Sequence, residues 1–456
     1  MEASAAFAKS AARGRAPLPS APGFDTSDLL IKILVPLGVL ASVVAAFKIG
    51  SLDGYVKLFS LETYKSPLLA LGAGYSLIFL IFQMVRTFLW WRYRPYPLAP
   101  GPLPRVTVII PAYNEGAMVE KAMYSVAASD YPADRLEIIC IDDGSRDDTW
   151  EYMRRAQVRF PELIRTIRFP QNRGKREALY VGFTEGKGEI FVTVDSDSVI
   201  EAGTLKQIVA PLVQDEGIGA VAGNVKVYNR SCNLITRMLW VRFVLAFDFL
   251  RAAQSAYGFV FCTPGALSAY CKEAVLPVLD EWRRQSFLGT ACTIGEDRAF
   301  TNLILRRGYQ TVYQRSAVVF TTVPHTYRGM CKMLLRWDRS NFRESWVQLT
   351  FMFGRYRRKH RVLPIFDFFV REMEFPLSCI FIPLLFINIF LYPAILLKVV
   401  TAMAIASCIL TLYYLSVERD MDFVYGVVYA FFALLFVKWI QPYAFLTLRD
   451  GRWLTR

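Results

Sequence analysis

An α/β domain built on a parallel sheet and inserted between membrane-spanning helices is what this sequence predicts, and three observations predict it. Long apolar runs lie towards both ends of the chain. The stretch between them alternates β-branched strands with helical patterns, and three of those strands end in acidic residues. With 54% hydrophobic residues over 456 positions, the composition argues against a wholly soluble protein and leaves room for an ordinary domain plus several spans.

Taken in order, residues 1–28 open with an Ala-, Ser- and Pro-rich stretch expected to be disordered. "LLIKILVPLGVLASVVAAF" (29–47) holds one lysine and "PLLALGAGYSLIFLIFQMV" (67–85) holds no charge, so 29–91 should contain two transmembrane helices. The first is no secretory signal, because it is long, internal and followed by no small-residue cleavage pattern. The flanks "RTFLWWRYR" (86–94) and "RYRRKHR" (355–361) carry the basic and aromatic residues of a cytoplasmic face, so the domain at 92–354 should lie in the cytoplasm. A basic and amphipathic interface segment follows at 355–375, then a transmembrane region at 376–450 and a short tail at 451–456. Within that region two spans, 375–397 and 399–415, should meet near Lys398, and 423–448 reads as a hairpin or re-entrant pair broken near Pro442. The charged apolar runs 234–250 and 362–375 suit amphipathic helices in the membrane interface, with core helices as the alternative.

The net charge is +14, from 53 basic and 39 acidic residues, with much of the excess beside membrane segments. Anionic lipid and an anionic nucleotide explain that excess better than nucleic acid does. Eight cysteines without CxxC spacing and only two histidines argue against structural zinc and fit reduced thiols.

In the central domain "RVTVIIPAYNEG" (105–116), "LEIICIDDGSRDDT" (136–149) and "GEIFVTVDSDSVI" (188–200) each run from a buried strand into a loop. Ligands of such sheets sit at the strands' carboxyl ends, where Glu115, Asp142, Asp143, Asp195 and Asp197 lie. Strand alternation should turn both carboxylates of "DSD" (195–197) to one side, as hard oxygen ligands for Mg²⁺ or Mn²⁺ against a diphosphate. "NRGKREAL" (172–179) adds a glycine turn with Arg173, Lys175 and Arg176, suited to a phosphate or a base edge. "TIGEDRAF" (293–300) crowds Glu296, Asp297 and Arg298 behind a glycine, which reads equally as the start of a helix.

The order of PAYNE, DDGS, GKR, DSD, GEDR and RW from about residue 105 onward resembles the membrane-embedded, processive family 2 glycosyltransferases: cellulose, chitin and hyaluronan synthases and the nodulation chitooligosaccharide synthases. "RAAQSAYGFVFCTPGAL" (251–267), "FLGTACTIGEDRAFTNLILRRGY" (287–309), "LRWDRSNFRES" (335–345) and the terminal "RWLTR" (452–456) look most like hyaluronan synthases. The resemblance implies a GT-A-like domain that polymerises sugars from UDP-sugar donors with Mn²⁺ or Mg²⁺, inverts the anomeric centre and extrudes the product. It implies that Tyr113, Glu115 and Asp143 hold uridine, Lys175 the nucleotide end of the donor, Arg336 the diphosphate, and Asp195 and Asp197 the metal and diphosphate. It makes Asp297 the general base with Glu296 and Arg298 setting its surroundings, and Trp337 the floor for the acceptor sugar. Trp453, Thr455 and Arg456 of the tail would reach the active site.

Two positions depart from the pattern: Met333 stands where the family usually carries Gln, and Leu454 where it carries Gly. Hyaluronan, from UDP-GlcNAc and UDP-GlcA, is the expected product, and it calls for a cation to accept the carboxylated sugar. Lys226, Arg298 and Arg336 are the sequence's candidates. A chitooligosaccharide or other β-glycan is the alternative, as is a non-catalytic membrane scaffold or polymer channel.

Overall fold

The computed structural model describes residues 26–48, 66–98, 100–354 and 361–451. Residues 1–25 of the segment expected to be disordered, the basic run 355–360 and tail residues 452–456 lie outside the described part.

Helices α1 (Thr26–Lys48) and α2 (Pro67–Arg92) come first, each long and apolar enough to cross a membrane. Leu34, Leu37 and Leu40 of α1 are exposed, as a lipid-facing surface requires. The central domain then winds through β1 (Val106–Ala112), α3 (Met118–Ala127), β2 (Leu136–Asp142), α4 (Thr149–Arg159), β3 (Ile164–Arg168) and α5 (Lys175–Glu185). It continues with β4 (Ile190–Val194), β5 (Ser198–Ile200), α6 (Thr204–Gln214), β6 (Ile218–Val227), α7 (Leu234–Val244), α8 (Leu250–Ser255) and β7 (Leu267–Cys271). A hairpin of β8 (Ser286–Phe287) and β9 (Thr290–Ala291), then α9 (Glu296–Arg306), β10 (Gln310–Thr321) and α10 (Tyr327–Phe351) complete it.

Strands β1, β2 and β4 are the three apolar runs identified in the sequence, and β1 is buried along its whole length. Alternation along β1 feeds two cores. Val106, Val108 and Ile110 pack with α3 and α6 residues such as Met123 and Leu205, while Ile109 packs with Phe183, Tyr270 and Phe300 on the other face. The eight strands lie in the order β3-β2-β1-β4-β7-β6-β10-β5. The expectation of a parallel sheet is corrected: β1, β2, β3 and β4 run parallel, but β7 is antiparallel to both β4 and β6, and β5 to β10. The chain enters β7 at the edge where β4 ends, with Val194 opposite Leu267, so β7 has to run back the other way.

After α10 come α11 (Val362–Glu372), α12 (Glu374–Leu391), α13 (Ile395–Glu418), α14 (Val424–Phe436) and α15 (Ile440–Leu446). Among the described residues four helices are long and apolar enough to cross a membrane: α1, α2, the continuous 362–391 stretch and α13. The first C-terminal boundary falls earlier than expected. Pro393, which cannot continue a helix after Tyr392, makes the break, and Lys398 sits inside α13. Residues 421–446 form a pair bent by 50°. The bend lies just before α15, and Pro442 occupies that helix's first turn, where its missing N–H costs nothing.

Two charged apolar helices differ from each other. Helix α7 is not an open interface helix: Thr236 to Val241, Phe243 and Val244 are buried, and Arg237 pairs with Asp28 of α1 at 2.7 Å. Arg237 thus serves an internal ion pair between α7 and α1. Helix α11 exposes Val362, Phe366 and Phe369 while turning Asp367 inward to Arg86 of α2 and Tyr257.

Candidate active site

The site forms where β1, β2 and β4 end, closed by the loop into β7 and the start of α9. After β1, Asn114 takes a left-handed backbone conformation (φ 53°) that turns the chain across the sheet edge. Its N–H donates to the Ser145 hydroxyl at 3.0 Å, and its side-chain oxygen accepts from the Arg146 N–H at 2.9 Å. The Glu115 N–H donates to Thr149 Oγ1 at 2.8 Å, so the PAYNE and DDGS loops are zipped together. The Glu115 carboxylate accepts from the Ser196 hydroxyl at 2.9 Å, and Tyr113 lies half-buried beside it in the chain.

The two aspartates after β2 have different surroundings. Asp142 accepts the Ser145 N–H at 2.9 Å and pairs with Arg168 at 3.1 Å, holding the loop. Asp143 accepts the backbone N–H groups of Arg173 (2.6 Å) and Gly174 (2.8 Å). Burial pushes the Asp143 carboxyl up despite those two donors. That clasp fixes the NRGK turn and aims Lys175, the first residue of α5. A cleft beside it is lined by Gly144, Arg168, Phe169, Gln171 and Asn172.

Lys175 is the junction of the site. Its ammonium reaches Asp195 at 2.6 Å and Glu296 at 2.8 Å, joining the end of β4 to the start of α9. Burial alone would depress it, and the two carboxylates more than offset that, so it stays charged. The DSD carboxylates do share one side, but for a different reason from strand alternation. Residues 195–197 form a turn between β4 and β5, in which the Ser198 N–H donates to the Asp195 carbonyl at 3.0 Å. Asp197 accepts from the hydroxyls of Ser198 (3.2 Å), Thr321 (3.1 Å) and Thr322 (3.3 Å). Burial, then the adjacent Asp195, push its carboxyl up to about 6.

Gly295 precedes α9 with φ +74°, and a Cβ there would fall 1.7 Å from the Ser340 hydroxyl, so only glycine lets α9 start against α10. Glu296 and Asp297 then occupy the first turn, their carboxyls shifted in opposite directions. Burial raises Glu296, but Lys175 reverses that and holds it at about 2. Asp297 is raised, by burial first and by Glu296 second. It accepts the Arg298 N–H at 2.7 Å, and the Cys262 thiol points to its Oδ2 at 3.5 Å. Two adjacent carboxylates driven apart in this way are a common sign of divided acid–base roles.

The placement of Arg298 differs from the expectation. Its guanidinium leaves the site and donates to Asn341 (2.5 Å) and the Ser345 hydroxyl (2.8 Å), clamping α9 to α10. Helical spacing explains this, because one residue further along a helix turns the side chain by about 100°. Lys226 is also removed from the candidates for a sugar carboxylate, since it pairs with Glu418 at 3.0 Å. Arg336 faces the site closely enough to lower Glu296. Trp337 packs on the next side of α10 against Phe243 (5.9 Å) and Phe247 (6.4 Å). Met333 is buried in the core.

Trp453, Thr455 and Arg456 lie outside the described residues, but the chain leading to them ends on the domain. Asp450 pairs with Arg339 at 3.2 Å, and the Gly451 carbonyl accepts from the Thr293 hydroxyl, four residues before Asp297. Sequence reasoning missed Cys262 and Gly265. A Cβ on Gly265 would meet the Lys175 ammonium at 2.7 Å, so this loop has to be bare to let the lysine cross. Its only local signal is the Pro-Gly pair before β7.

No group of three or more His, Cys, Asp or Glu side chains able to hold a metal occurs among the described residues.

The family model for glycosyl transferase family 2 matches residues 107–276, the strands and loops just described. An N-acetylglucosaminyltransferase of Azorhizobium caulinodans is 30% identical over 360 residues, covering 77% of this chain and 87% of its own length. A hyaluronan synthase of Streptococcus pyogenes is 34% identical over 280 residues, covering 60% of this chain and 66% of its own length. An N-acetylglucosaminyltransferase of Rhizobium meliloti is 34% identical over 57% of this chain and 60% of its own length. In fold the chain resembles a mannosyltransferase of Pyrobaculum calidifontis solved with GDP-Man and Mn²⁺, with TM-score 0.57 and 22% identity over 80% of this chain and 97% of that one. On the strand-end acids, the GEDR helix and these relatives together, the chain belongs to the family 2 glycosyltransferases and has their GT-A-like fold.

Proposed function

We propose that this enzyme is a membrane-integrated, processive, inverting β-glycosyltransferase that draws on UDP-sugars and makes hyaluronan from UDP-GlcNAc and UDP-GlcA. The observation that carries the reading is the Lys175 bridge, which brings Asp195 at the nucleotide edge and Glu296 at the acceptor edge onto one ammonium. Asp297 stands next in the chain, raised in pKa and beside that point. It takes the proton of the acceptor hydroxyl as that oxygen bonds to the anomeric carbon, and the bond to UDP breaks with its electron pair leaving on the diphosphate. Attack opposite the leaving group turns an α-linked donor into a β-linkage. Glu296, held ionised by Lys175, keeps that lysine in place and leaves Asp297 as the proton acceptor.

Tyr113, Glu115 and Asp143 hold the uridine, and Lys175 and Arg336 answer the diphosphate. Asp195 and Asp197 fit a Mn²⁺ or Mg²⁺ as hard oxygen donors, and a cation would relieve the repulsion that raises Asp197. When bound, the ion stabilises charge on the departing diphosphate. Trp337 is the stacking floor of the acceptor, and the last described residue, Gly451, is held at Thr293, four residues before Asp297. The domain faces the cytoplasm, consistent with basic residues at its membrane flanks. In this reading spans within 29–91 and 376–450 flank a catalytic unit at 92–354.

A second reading, chitooligosaccharide synthesis, is favoured by the similarity to the Azorhizobium protein over 87% of that protein's length. Supplying radiolabelled UDP-GlcNAc and UDP-GlcA singly and together, with Mn²⁺, separates the two. High-mass product only with both donors supports hyaluronan, whereas equal product from UDP-GlcNAc alone contradicts it.

A further inference from the structure

Beside the acceptor floor stands a cation that the sequence reading did not single out. Arg242, on α7, places its guanidinium over the Trp337 ring at 5.5 Å and over the Tyr429 ring of α14 at 6.0 Å. It is half-buried, so its charge is partly withdrawn from water. Among the described residues it makes no ion pair with a carboxylate. Its neighbours on α7 and β6 are treated differently: Arg237 is paired with Asp28, and Lys226 with Glu418. The acid that feels Arg242 most is Asp338, held at about 6 by burial while Arg242 and then Lys438 draw it down. Asp338 lies outside ion-pair range of Arg242, and Lys438 is occupied by Glu374 at 2.6 Å.

A guanidinium lying over aromatic rings remains able to meet a carboxylate in a fork with its N–H groups. The rings themselves offer an apolar face to the C–H face of a sugar. The same pair thus presents a platform and a charge within one sugar's width.

We propose that Arg242 and Trp337 together form the acceptor subsite that reads a uronate carboxylate, making the chain selective for an acceptor that ends in a carboxylated sugar. This rests on the hyaluronan reading above and names the residue that would discriminate its two acceptor ends. Arg242 takes the part for which Lys226 and Arg298 are unavailable, both being committed to other side chains.

The test uses the full-length protein in lipid nanodiscs with UDP-GlcNAc and Mn²⁺. UDP release is followed while one of two β-linked tetrasaccharides is titrated, one ending in glucuronate and the other chitotetraose. The readout is the ratio of kcat/KM for the uronate-ended acceptor to that for the neutral one, which cancels any general loss of folded enzyme. Arg242→Gln should lower that ratio about tenfold or more, the scale of a charge-assisted hydrogen bond, and Arg242→Lys, which keeps the charge but not the fork, should restore only part of it. An unchanged ratio in Arg242→Gln overturns the subsite. So does a loss of equal size for both acceptors, which would make Arg242 a packing or lipid-phosphate anchor. The donor experiment on the wild-type protein keeps the two levels apart. Polymer only with both donors, together with an unchanged ratio, sinks the subsite alone, whereas polymer from UDP-GlcNAc alone sinks the product and the subsite with it.

Discussion

The nucleotide edge and the acceptor edge of this site are built by different means. At the nucleotide edge, Asp142, Asp143 and Glu115 follow directly from strands and are held largely by backbone N–H groups and hydroxyls within the same three loops. At the acceptor edge, the GEDR turn depends on long side chains from other elements. Arg298 reaches Asn341 and Ser345, Arg343 donates to the Ile294 carbonyl at 2.7 Å, and Arg339 ties α10 to Asp450. Ser345 in turn donates to Glu372 of α11 at 2.8 Å, which carries the network to the membrane-facing helices. The nucleotide edge is local and sheet-bound. The acceptor edge is tied through Glu372 to the helices that follow the domain.

The largest expected effect belongs to the acceptor edge. Asp297→Asn keeps the volume of the base but cannot take the proton, so transfer should fall by a factor of ~10² to 10⁴. Thermal unfolding should be unchanged, and more than a few per cent of wild-type polymerisation would remove Asp297 from the role. Next comes the tail. Deleting residues 453–456 should reduce polymerisation about tenfold, on the scale of a lost positioning contact, with membrane insertion intact. Asp450 and Gly451, the last described residues before it, are anchored to Arg339 and Thr293. A truncated enzyme that polymerises at the wild-type rate would separate the tail from the site.

Arg298→Met tests whether the acceptor edge depends on distant clamps. Loss of the two buried hydrogen bonds should cost about 2 kcal/mol, or roughly 4–8 °C in Tm. An unchanged Tm would show that the GEDR turn holds without α10. The smallest effect is on pH dependence. Asp297 acts when deprotonated and its pKa is raised by burial and Glu296, so activity should be lost as pH falls through a value above the usual aspartate figure of about 3.9. Rate profiles between pH 4 and 8 would register this, and an acid limb at or below the ordinary value would contradict it.

The contrast between the edges also explains what the sequence revealed. Strands β1, β2 and β4 and their terminal acids were legible because the signal is local: a β-branched run followed by a turn. Apolar length was enough to locate α1, α2 and α13. The antiparallel insertion of β7 was not legible, since strand direction is set by where the preceding loop arrives. Nor was the outward turn of Arg298, because its partners lie more than forty residues further along the chain. Helix α7 looked amphipathic because its arginines interrupt an apolar run, and only the fold reveals Asp28 waiting for Arg237. Cys262 and Gly265 carry no pattern of their own and matter only through the neighbours that the sheet brings to them.

The two edges do separable work, and one paired measurement tests this directly. UDP affinity in the presence of Mn²⁺, by titration calorimetry, and polymerisation rate are measured on wild type, Asp143→Asn and Asp297→Asn. Asp143→Asn, which can no longer accept both N–H groups of the NRGK turn, should weaken UDP binding. Asp297→Asn should bind UDP as wild type does and transfer no sugar. Loss of UDP affinity in Asp297→Asn, or full affinity in Asp143→Asn, would contradict the division.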